Sequence, residues 1–151
     1  MPSFERHCDV TWEGSIREGK GEVVAGTGAF RLPVSFPARV EQPGGKTSPE
    51  ELIAGAHAAC YAMALTATMG RKNASARRLT VTARIEGEFE AGIKIKASHL
   101  KVTAEGLQGI SAADFPQLAR DAEQACPVSN ALRGSLQIDV EAHVRELAGK
   151  P

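Results

Sequence analysis

Thr47-Ser48-Pro49-Glu50-Glu51-Leu52-Ile53-Ala54-Gly55-Ala56-His57-Ala58-Ala59-Cys60-Tyr61-Ala62-Met63-Ala64-Leu65-Thr66-Ala67-Thr68-Met69-Gly70 decides the fold. Ser48 offers an N-cap hydroxyl, Pro49 suits the first helical position, and Glu51 falls at N3, which makes a capping box. A helix is therefore predicted to start at Pro49. Residues 52–69 are apolar on nearly every face, and Gly70 with Arg71 and Lys72 closes the run. A helix apolar all round is either buried or membrane-spanning. Its 18 residues meet the lower bound for a span, but seven are Ala and His57 sits among them, so insertion into lipid would gain little. The run reads as a central helix wrapped by protein, with small residues that let another helix approach closely.

Toward the N-terminus, Phe4, Cys8, Val10 and Trp12 alternate with Glu5, His7, Asp9 and Thr11, the period of a half-buried strand with Cys8 on its core face. Two more extended segments, about 20–25 and 29–40, are broken by glycines and complete a β-meander. Pro33 and Pro37 confine the third to a sheet edge.

Toward the C-terminus, Leu79 to Phe89 alternates strictly, Glu90-Ala91-Gly92 makes a turn, and residues 93–104 return with a phase slip near Ser98-His99 that marks a β-bulge. Ser111 or Asp114 then caps a helix ending near Ala125, and Leu136 to Val144 alternates as a last strand. The order β-β-β, long α, β-β, α, β, with helices inserted between antiparallel strands, is an α+β fold. Two modest sheets cannot cover an all-apolar helix, so an intimate homodimer is expected.

The chain has 151 residues, one domain's worth, and 18 Lys+Arg balance 18 Asp+Glu. Zero net charge argues against nucleic acid or an anionic membrane as partner. Three cysteines are too few for a disulfide scaffold, and the first residues carry no secretory apolar run. The expectation is a cytoplasmic protein whose significant thiol is reactive.

Alone, Cys60 reads as a small buried hydrophobe. Cys126 follows the second long helix and precedes Pro127, a break that has room to move and backbone N–H groups favouring thiolate. Two such cysteines suit a peroxidatic and resolving pair, or are two unrelated thiols. Thiol activation needs a cation, and a carboxylate to hold it. Candidates are Arg39, just before the Gly44-Gly45 loop, and Glu50, which Glu51 leaves free by taking the N3 role. Glu50 and Cys60 are ten positions apart on one helix, about 15 Å along its axis. If both serve one site, Glu50 comes from a partner subunit.

Two rival chemistries use His57, which shares a helix face with Cys60. A Cys–His nucleophile could run acyl transfer, and His57, Cys60 and Cys126 with His99 or His143 could bind zinc. Neither spacing is specific, and Gly26-Thr27-Gly28 has no following helix to make a nucleotide loop.

Thr11-Trp12-Glu13-Gly14, the stretch from Thr47 to Ile53 followed by Ala56-His57-Ala58-Ala59-Cys60, and Ala125-Cys126-Pro127-Val128-Ser129 together resemble the OsmC/Ohr family of thiol peroxidases, in its OsmC-like (osmotically inducible protein C) subgroup. The resemblance implies an intertwined homodimer, with two sheets around a long buried central helix and two active sites at the interface. It implies reduction of organic hydroperoxides with no cofactor or metal, by Cys60 as peroxidatic cysteine, Cys126 as resolving cysteine, and Glu50. The family's arginine corresponds to Arg39, with Arg31 as the fallback. The implied cycle forms a sulfenic acid, then an intramolecular disulfide, which an external dithiol, suspected to be lipoyl-linked, reduces. An apolar lining from Ala59, Met63 and Phe36 would favour alkyl hydroperoxides.

Overall fold

In the computed structural model, which describes residues 2–146, the chain divides into two compact units at Leu52/Ile53. The first begins with three antiparallel strands, β1 (Cys8–Glu13), β2 (Lys20–Ala25) and β3 (Arg31–Val34), in the order β1-β2-β3. Val23, Ala25, Val34 and Ala38 supply this unit's buried apolar residues. β1 is bonded on one side only, and all its residues are exposed. Cys8 is therefore a surface thiol, contrary to the core position its alternation suggests.

The extended segment expected over 29–40 is split. β3 stops at Val34, and a one-turn helix, α1 (Pro37–Val40), follows. Pro37 has no N–H for a ladder, while its fixed φ suits a first helical turn. The Ser35 hydroxyl accepts the Ala38 amide at 3.2 Å and fixes that turn.

The long helix, α2 (Pro49–Arg71), starts where its capping residues predict. Ser48 Oγ accepts the Glu51 amide at 3.1 Å. Glu51 Oε1 takes the Thr47 hydroxyl at 2.6 Å, a variant of the expected box. N-capping of this kind is worth about 1 kcal/mol.

The second unit holds β4 (Arg78–Phe89), β5 (Ile93–Glu105), α3 (Phe115–Gln124), α4 (Pro127–Leu132) and β6 (Gln137–Arg145). Its sheet has the order β4-β5-β6. The β4–β5 hairpin is antiparallel, as its turn requires, but β6 runs parallel to β5, which corrects the all-antiparallel expectation. The physical reason is the helical crossover through α3 and α4, long enough to return the chain to the same sheet end. The bulge falls slightly before its expected place: Glu86 pairs Ala97 and Gly87 pairs Ile95, so Lys96 is the extra residue.

Tyr61, Leu65 and Met69 of α2 join Leu100 and Val102 of β5 and Phe115 of α3 in this unit's core. Each large side chain buried there contributes about 1.5–3 kcal/mol. The Tyr61 hydroxyl donates to the Ala119 carbonyl at 2.8 Å, which keeps its polar end satisfied. Burial pushes the Tyr61 phenol up beyond its ordinary range, so it is a neutral donor at physiological pH.

α2 is long and apolar enough to cross a membrane by length and composition. It buries only one face, on His57, Tyr61, Leu65, Thr68 and Met69. Gly55, Ala56, Ala59, Met63, Thr66 and Ala67 are exposed, with Met63 at 72%. One chain thus leaves half of its central helix uncovered.

Candidate active site

Cys60 sits mid-way along α2, and Cys126 occupies the N-cap of α4, in extended conformation at the break after α3. Pro127 stops the ladder of α3 and starts α4 at its first position, which aims the Cys126 side chain into the fold. Its sulfur accepts the Ser129 amide at 3.5 Å, and the residue is fully buried. The two thiols, 66 residues apart in sequence, adjoin in this unit's core, where Cys60 and Val128 pack against the cluster that contains Cys126. Burial is the main influence on Cys60 and pushes its thiol up; the Val128 amide pulls it down, and Cys126 pushes it up. Neither cysteine is joined in a disulfide. Ionising Cys60 at neutral pH therefore calls for a cation brought to the sulfur.

His57 lies one turn before Cys60 on the same helical face. Its Nδ1 meets Ser98 Oγ at 2.6 Å and its Nε2 meets Ser129 Oγ at 2.7 Å, so α2, β5 and α4 are joined through one ring. Burial lowers its pKa first of all; Glu123 pulls the other way and Arg133 adds to the lowering. A neutral imidazole with both nitrogens engaged by hydroxyls has no lone pair left for a metal or for Cys60. The packed, hydrogen-bonded role fits it better than either rival chemistry. His99 pairs with Glu86 and Asp139, and His143 with Glu141, so the zinc set considered from sequence is not assembled. Among the described residues, no group of three His, Cys, Asp or Glu is placed to hold a metal.

A clamp that sequence reasoning missed straddles Cys126. Glu123, buried at the end of α3, accepts Arg133 Nη2 at 2.7 Å, and Arg133 also bonds Asn130 Oδ1 at 3.0 Å. The signal was available in part, since a charged residue on the buried face of α3 demands a partner. Its partner lies across the turn and no helical spacing points to it.

In the first unit, Arg39 on α1 and Glu50 in the first turn of α2 form a part-buried, bidentate ion pair. Arg39 Nε lies 3.0 and 2.8 Å from the two Glu50 oxygens, and Nη2 lies 2.8 Å from Oε2. Arg31, the fallback, is occupied by Glu22 across the β2–β3 ladder. Arg17 stacks its guanidinium over Phe36, 5.3 Å from the ring centroid, and pairs with Glu41 at 2.7 Å. The four expected site residues thus resolve into two pairs, Arg39 with Glu50 and Cys60 with Cys126, one in each unit.

Two three-stranded sheets with a long helix between them in sequence place the chain in the α+β class. The family model described as "OsmC-like protein" matches residues 42–141, and the chain belongs to that family. It is 36% identical over 132 residues to the Peroxiredoxin OsmC of Escherichia coli, covering 86% of this chain and 91% of that protein. It is 30% identical over 129 residues to the organic hydroperoxide resistance protein OhrA of Bacillus subtilis, covering 83% and 87%. Among solved structures, an OsmC organic hydroperoxide resistance protein from Legionella pneumophila superposes with a TM-score of 0.72 at 24% identity, covering 91% of this chain and 97% of that one. That likeness is one of fold.

Proposed function

We propose that this protein is a thiol peroxidase that reduces organic hydroperoxides. The observation that carries the reading is the adjoining Cys60–Cys126 pair, one thiol partly exposed on a rigid helix and the other buried at a helix break. Relatives named for peroxiredoxin activity and organic hydroperoxide resistance support the same chemistry.

Cys60 as thiolate attacks the terminal oxygen of the hydroperoxide. The O–O bond breaks, an S–O bond forms, and the alkoxide leaves as alcohol after taking a proton. Cys126 then condenses with the Cys60 sulfenic acid: an S–S bond forms, and the hydroxyl leaves as water with the Cys126 proton. An external dithiol, for which a lipoyl-type reductant is suitable, reopens the disulfide by exchange and is itself oxidised. A cytoplasmic setting supplies such reductants. Substrate carbon chains would lie against Ala59 and Met63.

The cation for the thiolate is Arg39, held by Glu50. Glu50 and Cys60 are ten positions apart on α2, a rise of about 15 Å, too far to share a site through their own helix. In this reading two chains pair through the uncovered face of α2, and each lends its Arg39–Glu50 pair to the other's thiols. Mass spectrometry after one equivalent of cumene hydroperoxide should show a Cys60–Cys126 disulfide as a loss of about 2 Da per chain. Full turnover by Cys60→Ser would refute the assignment.

A further inference from the structure

We infer that His57 is a positioning residue for disulfide closure, acting through Ser129 to hold Cys126 against Cys60. The inference rests on the assignment of these two cysteines as the working pair. His57 precedes Cys60 by one helical turn on α2, and Ser129 follows Cys126 by one turn on α4. The two helices therefore meet at two parallel rungs, the hydrogen bond between His57 Nε2 and Ser129 Oγ at 2.7 Å and the adjoining side chains of Cys60 and Cys126. The first rung is fully buried at both ends. It sets the register of the second, because the intervening residues of α4 leave little freedom. The α4 turn so fixed carries Val128, whose backbone favours the Cys60 thiolate, and the Ser129 amide that bonds Cys126.

The two ring nitrogens of His57 are engaged by serine hydroxyls rather than by either sulfur. Its other nitrogen bonds Ser98 Oγ at 2.6 Å on β5, so the structure supplies an internal control. Ser98→Ala and Ser129→Ala each remove one buried hydroxyl from the same ring, at similar cost to the fold. Only Ser129→Ala unties α4. Closing the disulfide from the sulfenic acid breaks S–O, forms S–S and releases water, and its rate depends on how often Cys126 faces Cys60.

The first measurement equilibrates the protein with reduced and oxidised glutathione, where the chain's two thiols become a disulfide as oxidised glutathione becomes two reduced molecules. Loss of one neutral hydrogen bond that orients the pair should lower the effective thiol concentration about tenfold in Ser129→Ala, with Ser98→Ala within about twofold of wild type. The second follows one equivalent of cumene hydroperoxide with dimedone. Ser129→Ala should accumulate trapped Cys60 sulfenic acid in a larger share of the peroxide consumed than Ser98→Ala or wild type does.

Equal effects in the two serine variants, or none in Ser129→Ala, would overturn the positioning role. If Ser129→Ala does not fold, His57→Gln and His57→Asn replace it. A glutamine amide reaches as Nε2 does and should rescue most of the effective concentration, whereas an asparagine amide reaches only as Nδ1 does and should not. The opposite order would overturn the proposal. A wild-type protein that forms the disulfide with glutathione but not with hydroperoxide would refute the peroxidase reading and leave the glutathione comparison intact.

Discussion

Arg39 grips Glu50 with two of its nitrogens, Nε reaching both carboxylate oxygens and Nη2 lying 2.8 Å from Oε2. The pairing depends on a division of labour in the first turn of α2. Glu51 and Ser48 satisfy the helix cap, so Glu50 is free to hold a guanidinium. A bidentate fork fixes the plane of the arginine as well as its place, which a lysine cannot do.

Glu50→Gln keeps one acceptor but loses the charge and the fork. Hydroperoxide consumption should fall roughly tenfold to a hundredfold through misplacement of Arg39. Oxidation of the same thiols by diamide, which needs no oriented arginine, should be little changed. Arg39→Lys should resemble Glu50→Gln rather than wild type in a stopped-flow peroxide assay.

Burial pushes the Cys60 thiol up, and only the Val128 amide opposes it among the groups of its own unit. A cation placed at the sulfur favours the charged form and moves the ionisation down. The rate of Cys60 alkylation by iodoacetamide should therefore inflect at lower pH in wild type than in Arg39→Ala. In Arg39→Ala the inflection should lie above the ordinary cysteine range. Coincident profiles would remove Arg39 from the thiolate's surroundings.

The sequence carried the elements of both units because their patterns are local. Ser48-Pro49 with Glu51 marks the start of α2, and strict alternation marks β4, β5 and β6. It failed where a partner lies far along the chain. The alternation of β1 is real, but no layer of its own unit covers that face, so Cys8 is exposed. The parallel pairing of β6 follows from the path of the crossover, which periodicity does not record. For the candidate site, residue types and helical spacing single out Cys60, Cys126, Arg39 and Glu50. The Ser98 and Ser129 partners of His57, and the Glu123–Arg133 clamp, are contacts between elements that leave no spacing signal.

His57 has its pKa lowered, chiefly by burial, so the folded protein holds it neutral. The unfolded chain takes up a proton near pH 6.5 and the folded one only at lower pH. The contribution of His57 to stability is thus complete above about pH 6.5 and declines as pH falls below it toward the folded pKa. Urea midpoints measured from pH 7.5 to 5 should drop more steeply in wild type than in His57→Gln. His99 has the opposite sign: hydrogen bonds to Glu86 and Asp139 raise it, so its contribution is present at low pH and fades as pH rises.

Glu123 is buried beside the Cys126 turn and Arg133 neutralises it from the far side. Arg133→Ala strands that carboxylate. The cost should be about 2–3 kcal/mol, below that of breaking a fully buried pair because Arg133 is partly exposed. The urea midpoint reports the loss. Alkylation of Cys126 under native conditions should accelerate as well, since the clamp spans the turn that buries it.

Met63 stands at the centre of the exposed face of α2, flanked by Ala59, Thr66 and Ala67. A charge there cannot be buried unpaired, so Met63→Arg should sediment as a monomer and lose hydroperoxide turnover. Loss of both together would tie assembly to the site, and a second experiment separates sharing from mere stabilisation. Arg39 and Glu50 pair within one chain, so they reach a thiol as a unit. If that thiol belongs to the partner, mixing Cys60→Ser with Arg39→Ala chains creates one complete site in each mixed dimer. Equal amounts yield mixed dimers as half the population, each with one working site of two, so activity should recover to about a quarter of wild type. A site built wholly within one chain would recover nothing, because every Cys60 would then sit beside an alanine.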